Sequence, residues 1–450
     1  MAVHPIDYRY GSDEMRMVFE EERRLQRLLD VEAALARAHA RVGNIPQEDA
    51  EAISRNAVTG RVKLTRVKEI EAETLHDLMA VVKALAEACG SSGRFVHLGA
   101  TSYDIIDTAN ALQFKEALQI VKQDLFEIEG ELLRLAEENM EVVAVGRTHG
   151  QHALPITYGL KFAIWAREVR RHLNRLKEGE KRFYVGKMSG AVGTQASFGD
   201  KGPMIQEIVM EELGLAPAMV SSQIVQRDRY AELIGLLALI CSSMEKFAKE
   251  VRNLMRTEIG EVSEGYVEES QVGSSTMPHK RNPINAEKVC GLSRVVRAHL
   301  MVALENVPLE HERDLTNSSA ERAIIAESFI LTDEILKTMK RILKGLLLYP
   351  EQIKRNLRLT RGLNMAESVM MRLAEKGMDR QEAHELLRRL SIKAVSEDVG
   401  LASVLSEDET VKRYLSADEI RAALEPENYL GTAIEQVRQV LRISREERSR

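Results

Sequence analysis

The chain has 450 residues, with 63 Lys and Arg against 69 Asp and Glu, and a formal charge of −6. That charge is spread along its length, so nothing in the balance calls for a nucleic-acid or membrane-surface role. Its 27 glycines and 10 prolines make up about 8% of the chain against a usual share of roughly 12%, and aromatics are 4%, which argues against a many-turned β protein and favours helix.

Residues 1–10 carry His4, Asp7 and Arg9 and no apolar core of signal-peptide type, so no targeting segment is expected. Shorter helices are predicted at about 15–42, 47–55 and 65–88. Residues 96–104, Val-His-Leu-Gly-Ala-Thr-Ser-Tyr-Asp, open the first long helix. Thr101 and Ser102 can cap it while free N–H groups face an anion, although capping alone also explains a Thr-Ser pair there. In that helix Phe114, Leu118, Val121, Leu125, Ile128, Leu132 and Leu135 step by four and three. A 3.5-residue repeat keeps one seam against a neighbouring helix.

Residues 146–155, Gly-Arg-Thr-His-Gly-Gln-His-Ala-Leu-Pro, break the periodicity. His149 and His152 lie three apart, but no His-Glu-x-x-His arrangement or third ligand accompanies them, so a metal is not indicated. An imidazole here suits general-acid chemistry near neutral pH, its unperturbed pKa being ~6.5. The plainer alternative is a histidine bonded to the backbone where a helix begins. An amphipathic helix follows, with Phe162, Trp165, Val169, Leu173 and Leu176 on one face.

Leu233, Leu237, Ile240, Met244, Phe247, Val251 and Leu254 repeat the heptad seam, and Ile234, Leu236 and Leu239 widen it almost all the way round. A helix over 223–259 would run ~55 Å. Residues 273–283, Gly-Ser-Ser-Thr-Met-Pro-His-Lys-Arg-Asn-Pro, gather hydroxyls, an imidazole, two cations and an amide in a loop, and loops on rigid scaffolds are where function concentrates. This is not a Walker loop, because no Gly precedes Lys280 and no Ser or Thr follows it.

Further amphipathic helices are predicted at 286–304 and 322–347, making five long helical segments between about 104 and 349. Between the last two, Arg313, Ser318 and Arg322 offer bidentate and hydroxyl donors of the sort that hold phosphate; a surface ion-pair network is the alternative. After Pro350, shorter helices are expected near 352–376, 380–397 and 417–424, and residues 442–450 are expected to fray.

The fold class is therefore all-α. An N-terminal helical domain spans 1–103, a central long-helix bundle with the 273–283 loop spans 104–349, and a C-terminal helical domain spans 350–450. Stripes this wide are hard to bury in a monomer, so a homo-oligomer is expected. Cys89, Cys241 and Cys290 form no CxxC pair and read as buried free thiols. The longest apolar block, residues 233–241, is far short of the ~18 residues of a spanning helix, so a soluble, cytoplasmic protein is expected.

The 273–283 loop resembles the fumarase/aspartase signature GSSxMPxKxNP. Within that superfamily the chain is most similar to the adenylosuccinate lyase family, over nearly its whole length. Arg9-Tyr10, His76-Asp77, His97, Thr101-Ser102, His149, Ser222-Gln223 and Arg313 with Ser318-Ser319-Ala320-Glu321-Arg322 match that family's motifs, as does Tyr429-Leu430-Gly431. Leu75 departs from them, standing where the family usually has Arg or Lys.

The resemblance implies a homotetramer with a twenty-helix core, active sites shared between subunits, nucleotide substrates, no metal, no cofactor, and no nucleic-acid or membrane partner. The implied reaction is β-elimination of fumarate from adenylosuccinate and from succinylaminoimidazole carboxamide ribotide. It makes Ser274 the base and His149 the acid, with Lys280 and Asn282 stabilising the developing dianion and His76 orienting substrate or assisting proton transfer. Thr101 and Ser102 hold carboxylates, Gln223 meets the succinyl or base portion, and Arg9 and Tyr10 bind the nucleotide. Arg313, Ser318 and Arg322 take its phosphate, while Asp77, His97, Ser275, Arg281 and Ser319 complete the substrate-binding set.

The 3-carboxymuconate cycloisomerase family shares the loop and a Gln-x-Ala-Leu-Pro pattern at Gln151 to Pro155. It generally lacks a histidine at the place of His149 and needs no phosphate site. Argininosuccinate lyases usually carry Gln-Lys where this loop has His279-Lys280-Arg281. A non-catalytic helical scaffold, the reading from another class, would need none of Ser274, Lys280, Asn282 and His149.

Overall fold

A computed structural model describes residues 4–265, 277 and 280–449. Among these the architecture is all-α, with extended backbone confined to three two-stranded sheets. Two compact units form. The first comprises residues 1–126, 171–245 and 288–338; the second comprises 127–170, 246–287 and 339–450.

The heptad spacing produces the long helices. Ser102–Glu138 is a 37-residue helix, and all seven seam residues from Phe114 to Leu135 are at most 3% exposed. Asp228–Leu254 likewise buries its seam from Leu233 to Leu254. Burying such a side chain contributes roughly 1.5–3 kcal/mol, so these seams carry much of the stability. Tyr158–Phe183, Ile284–Glu305 and Thr316–Lys344 complete the predicted set of five.

The second seam helix is shorter than expected, about 40 Å at 1.5 Å per residue. Ahead of it, the Val225 N–H donates to Asp107, which holds the backbone out of the helix. Beyond it, Glu261 N–H closes on the Leu254 carbonyl after a turn at Gly260, whose φ is +60°. Ile234 and Leu236 are buried as expected, but Leu239 is 44% exposed, so the apolar stripe does not close.

Other differences have local causes. The predicted 15–42 helix divides into Asp13–Phe19 and Glu21–Arg41 around an extended Glu20. The predicted 352–376 helix breaks between Pro350–Arg358 and Ala366–Glu375, where Arg361 and Gly362 turn left-handed. Residues 442–448 do not fray: Ala433–Arg448 is a helix whose Arg445 and Arg448 reach Glu137 and Glu129. Gly202–Leu213, Leu401–Glu407 and Glu409–Tyr414 are helices the periodicity did not reveal.

In the first unit, Phe114 packs edge-on against Tyr230 and stacks on Phe329, which in turn stacks on Phe19. In the second, Trp165 stacks on Phe247 at 4.7 Å. The three thiols are buried and free as expected, and burial pushes Cys89 to about 11 and Cys241 to about 12. Among the described residues no helix is long and apolar enough to cross a membrane.

Candidate active site

The first unit holds a cavity of about 270 Å³ lined by His76, Asp77, Ser102, Tyr103, Arg313, Ser318 and Arg322, among others. His76 sits there because it is the N-cap of the Asp77–Cys89 helix, its Nδ1 accepting from the Met79 N–H at 3.3 Å. An accepting Nδ1 in a neutral ring leaves the proton on Nε2, which can donate to a ligand. The preceding helix, Leu64–Thr74, ends on Leu75 in a left-handed conformation with φ 52°, and that side chain is 89% exposed.

Ser102 starts the long helix, and Asp104 completes a cap by accepting from the Thr101 N–H at 2.8 Å. The Thr101 N–H is therefore taken within the chain by Asp104. Asp104 is fully buried and also accepts from Lys187 Nζ at 2.5 Å and the Ser189 and Gly190 N–H groups. This arrangement fixes Thr101 and Ser102 against the 187–190 segment.

The tyrosine after that pair links the motifs. The Tyr103 hydroxyl donates to Ser318 Oγ at 3.2 Å, and the Arg313 guanidinium lies 3.8 Å from the centre of its ring. Arg313 also donates to Gln223 Oε1 at 2.9 Å, and Arg322 donates to Asp77 Oδ2 at 2.6 Å. Behind them Arg227 is fully buried between Asp107 and Glu321, and its guanidinium faces both Tyr103 and Tyr230. Asp314 accepts from the Glu310 and Thr316 N–H groups, which hold its carboxyl at about 2 and shape the turn after Arg313.

Not every expected residue joins this cavity. His97 is mostly buried, its Nδ1 2.6 Å from Glu32 Oε1 and its N–H donating to Oε2. Burial opposes the imidazolium, but the Glu32 charge and hydrogen bond, with Asp104, reverse that and raise the His97 pKa. Arg9 and Tyr10 lie beside each other on the N-terminal turn, docked where Gly11 and Ser12 donate to Glu334 and Asp333; neither lines the cavity. Ser319 is exposed and does not line it either.

The second unit carries the other candidates. Val143–Thr148 and Gln151–Thr157 pair antiparallel, and His149-Gly150 forms the two-residue turn between them. Both turn residues have positive φ, 55° and 75°, which matches the twist a tight hairpin requires. The extended pairing replaces the direct start of a helix considered above. His149 is presented at an exposed tip and makes no hydrogen bond among the described residues. His152 faces inward with a buried, unpaired Nδ1; burial, then Arg147, lowers its pKa and keeps it neutral. The hairpin is anchored by Glu261, which accepts from Arg147, from the Tyr158 hydroxyl at 2.6 Å and from Asn356 at 2.8 Å.

Ser274 and Ser275 lie outside the described residues. The end of that loop is described: Lys280 and Arg281 are exposed, Asn282 is half-buried, and Ile284–Glu305 follows. Glu264, buried before the loop, accepts from the Asn285 side chain at 3.0 Å and the Ala286 N–H at 2.7 Å, tying the chain ahead of the loop to the helix after it.

A family model described as Lyase matches residues 7–298, and one described as Adenylosuccinate lyase C-terminus matches residues 362–440. Over 98% of both chains, the sequence is 61% identical to adenylosuccinate lyase of Pyrococcus abyssi. It is 51% identical to that of Methanocaldococcus jannaschii, over 98% of this chain and 96% of the relative. The chain belongs to the adenylosuccinate lyase family, within the fumarase/aspartase superfamily.

Solved superfamily structures have the same fold. The 3-carboxy-cis,cis-muconate lactonizing enzyme of Pseudomonas putida matches with TM-score 0.89 and 34% identity over 99% of both chains. A fumarate lyase of Mesorhizobium sp. BNC1 matches at 0.88 and 33%, over 96% of this chain and 98% of that one. For this adenylosuccinate lyase family member, sequence reasoning missed Glu32, Tyr103 and Glu264. Only Tyr103 had a local signal, its place directly after Thr101-Ser102.

Proposed function

We propose that this chain is a carbon–nitrogen lyase that eliminates fumarate from adenylosuccinate, giving AMP, and from succinylaminoimidazole carboxamide ribotide in purine biosynthesis. The observation that carries the reading is full-length identity of 50–61% to several adenylosuccinate lyases. The gathering of Arg313, Ser318 and Arg322 at one cavity supports it chemically, because a lactonising enzyme needs no phosphate site.

In this reading Ser274 takes the proton from the carbon beside a carboxylate, the C–N bond breaks, and His149 protonates the departing nitrogen. The intermediate is an aci-carboxylate dianion, so waiting donors lower its energy. Lys280 and Asn282 supply them, Thr101 and Ser102 hold carboxylates, and His76 donates through Nε2. Gln223 meets the succinyl or base portion, and Arg9 and Tyr10 meet the nucleotide. Arg313, Ser318 and Arg322 receive its phosphate, with Asp77, His97, Ser275, Arg281 and Ser319 around them. Serine is a weak base at its ordinary pKa, so Lys280 and the loop amides must favour its alkoxide. No metal or cofactor takes part in this scheme.

The same reading includes a cytoplasmic homotetramer with shared active sites and divisions near 103/104 and 349/350. Leu239, Val295, Met301 and Leu304, exposed apolar residues on the long helices, support self-association. Mixing the purified protein with adenylosuccinate and following the ultraviolet loss tests the activity. Absorbance that stays constant with folded protein, or turnover of 3-carboxymuconate instead, contradicts it.

A further inference from the structure

The Glu21–Arg41 helix carries four arginines in its first five turns, and three reach carboxylates: Arg23 and Arg27 reach Glu116, and Arg37 reaches Glu212. Arg24 is different. Its guanidinium makes no hydrogen bond or ion pair among the described residues, although the residue is only partly exposed. It lines a cavity of about 210 Å³ together with Phe19, Tyr103, Ser318 and Arg322. Tyr103, Ser318 and Arg322 also line the cavity that holds His76 and Arg313, so the two spaces share a wall.

Three guanidinium groups thus border this region, with unequal partners. Asp77 takes Arg322, the Gln223 carbonyl takes Arg313, and Arg24 has no acceptor. A half-buried arginine without an acceptor is costly, because desolvation of its charge is not offset. Burial, then the neighbouring Arg322 charge, lowers the Arg24 pKa, against the opposing influence of Asp77, Tyr103 and Glu71. Its electrostatic neighbours are therefore residues that line the two cavities.

We propose that Arg24 is a further phosphate-binding residue, donating to the 5′-phosphate of the nucleotide from the Phe19 side of the cavity shared with Ser318 and Arg322. This rests on the nucleotide reading given above. A nucleoside monophosphate is close to dianionic at pH 7, its second pKa being about 6, and offers three acceptor oxygens. Two guanidinium groups and a hydroxyl match that charge and donor requirement, and an arginine fork suits phosphate geometry.

The test compares AMP and adenosine binding to the full-length protein by calorimetry, using wild type, Arg24→Gln, Arg24→Lys and Arg322→Gln. Arg24→Gln is expected to weaken AMP at least about 10-fold while adenosine changes by less than about twofold, and Arg24→Lys is expected to recover part of the loss. Equal loss for both ligands, or none for AMP, overturns the assignment. If Arg322→Gln weakens AMP and Arg24→Gln does not, only Arg24 loses its role. If neither does, the nucleotide reading of the cavity fails with it. Should Arg24→Gln not fold, Arg24→Lys decides: AMP affinity equal to wild type with a compact ammonium in place of the fork overturns the proposal, and a loss confined to AMP supports it.

Discussion

Arg322 donates to the Asp77 carboxylate at 2.6 Å, joining the residue after the His76 cap to a helix 245 positions later in the chain. Both side chains are a third to a half exposed, so the pair is worth only ~0.2–1 kcal/mol. Its value is positional, since it points the guanidinium along the cavity wall. Arg322→Ala should leave the melting temperature nearly unchanged but raise KM for adenylosuccinate at least ~10-fold. Steady-state kinetics with an unchanged KM would remove the phosphate contact.

The buried Arg227 behaves oppositely. It sits fully enclosed between Asp107 and Glu321, so removing it strands two carboxylates. Arg227→Met is expected to cost ~3–5 kcal/mol. Truncating Arg182, whose exposed pair with Glu232 is screened by solvent, should cost no more than ~1 kcal/mol. Calorimetric unfolding of the two variants checks the contrast, and similar losses would contradict it.

His149 stands at a solvent-exposed hairpin tip, so its loss should be chemical and not structural. His149→Ala and Ser274→Ala should each lower kcat by at least ~10²-fold, and His149→Ala should leave unfolding unchanged. Near-normal turnover in either would end its assigned role.

The Glu32–His97 pair gives a pH signature. The folded state raises the His97 pKa, so it binds that proton more tightly than the unfolded chain does. The resulting stabilisation is complete below the unfolded value of ~6.5 and fades as pH rises through the elevated folded value. The gap in melting temperature between wild type and the double variant Glu32→Gln, His97→Gln should therefore narrow as pH rises from about 6 to 9. A gap that widens over that range would contradict an ionised pair.

The seams at Phe114–Leu135 and Leu233–Leu254 were legible because a 3.5-residue period needs only local spacing. So was the cavity's main cation set, since Arg313, Ser318 and Arg322 lie within ten residues of one another. Arg24 was not, because among the neighbouring charges of residues 20–24 nothing marks which arginine lacks an acceptor; only tertiary packing decides that. The hairpin carrying His149 was missed for another reason. His-Gly lacks the familiar Asn-Gly turn signal, yet histidine tolerates the left-handed backbone well enough to serve.

Proton NMR of the wild-type protein mixed with adenylosuccinate tests the central claim most directly. Fumarate and AMP should appear in equal amounts as the substrate disappears, with the rate reduced at least ~10²-fold in His149→Ala. Substrate that persists unchanged beside protein shown to be folded by circular dichroism would contradict the assignment.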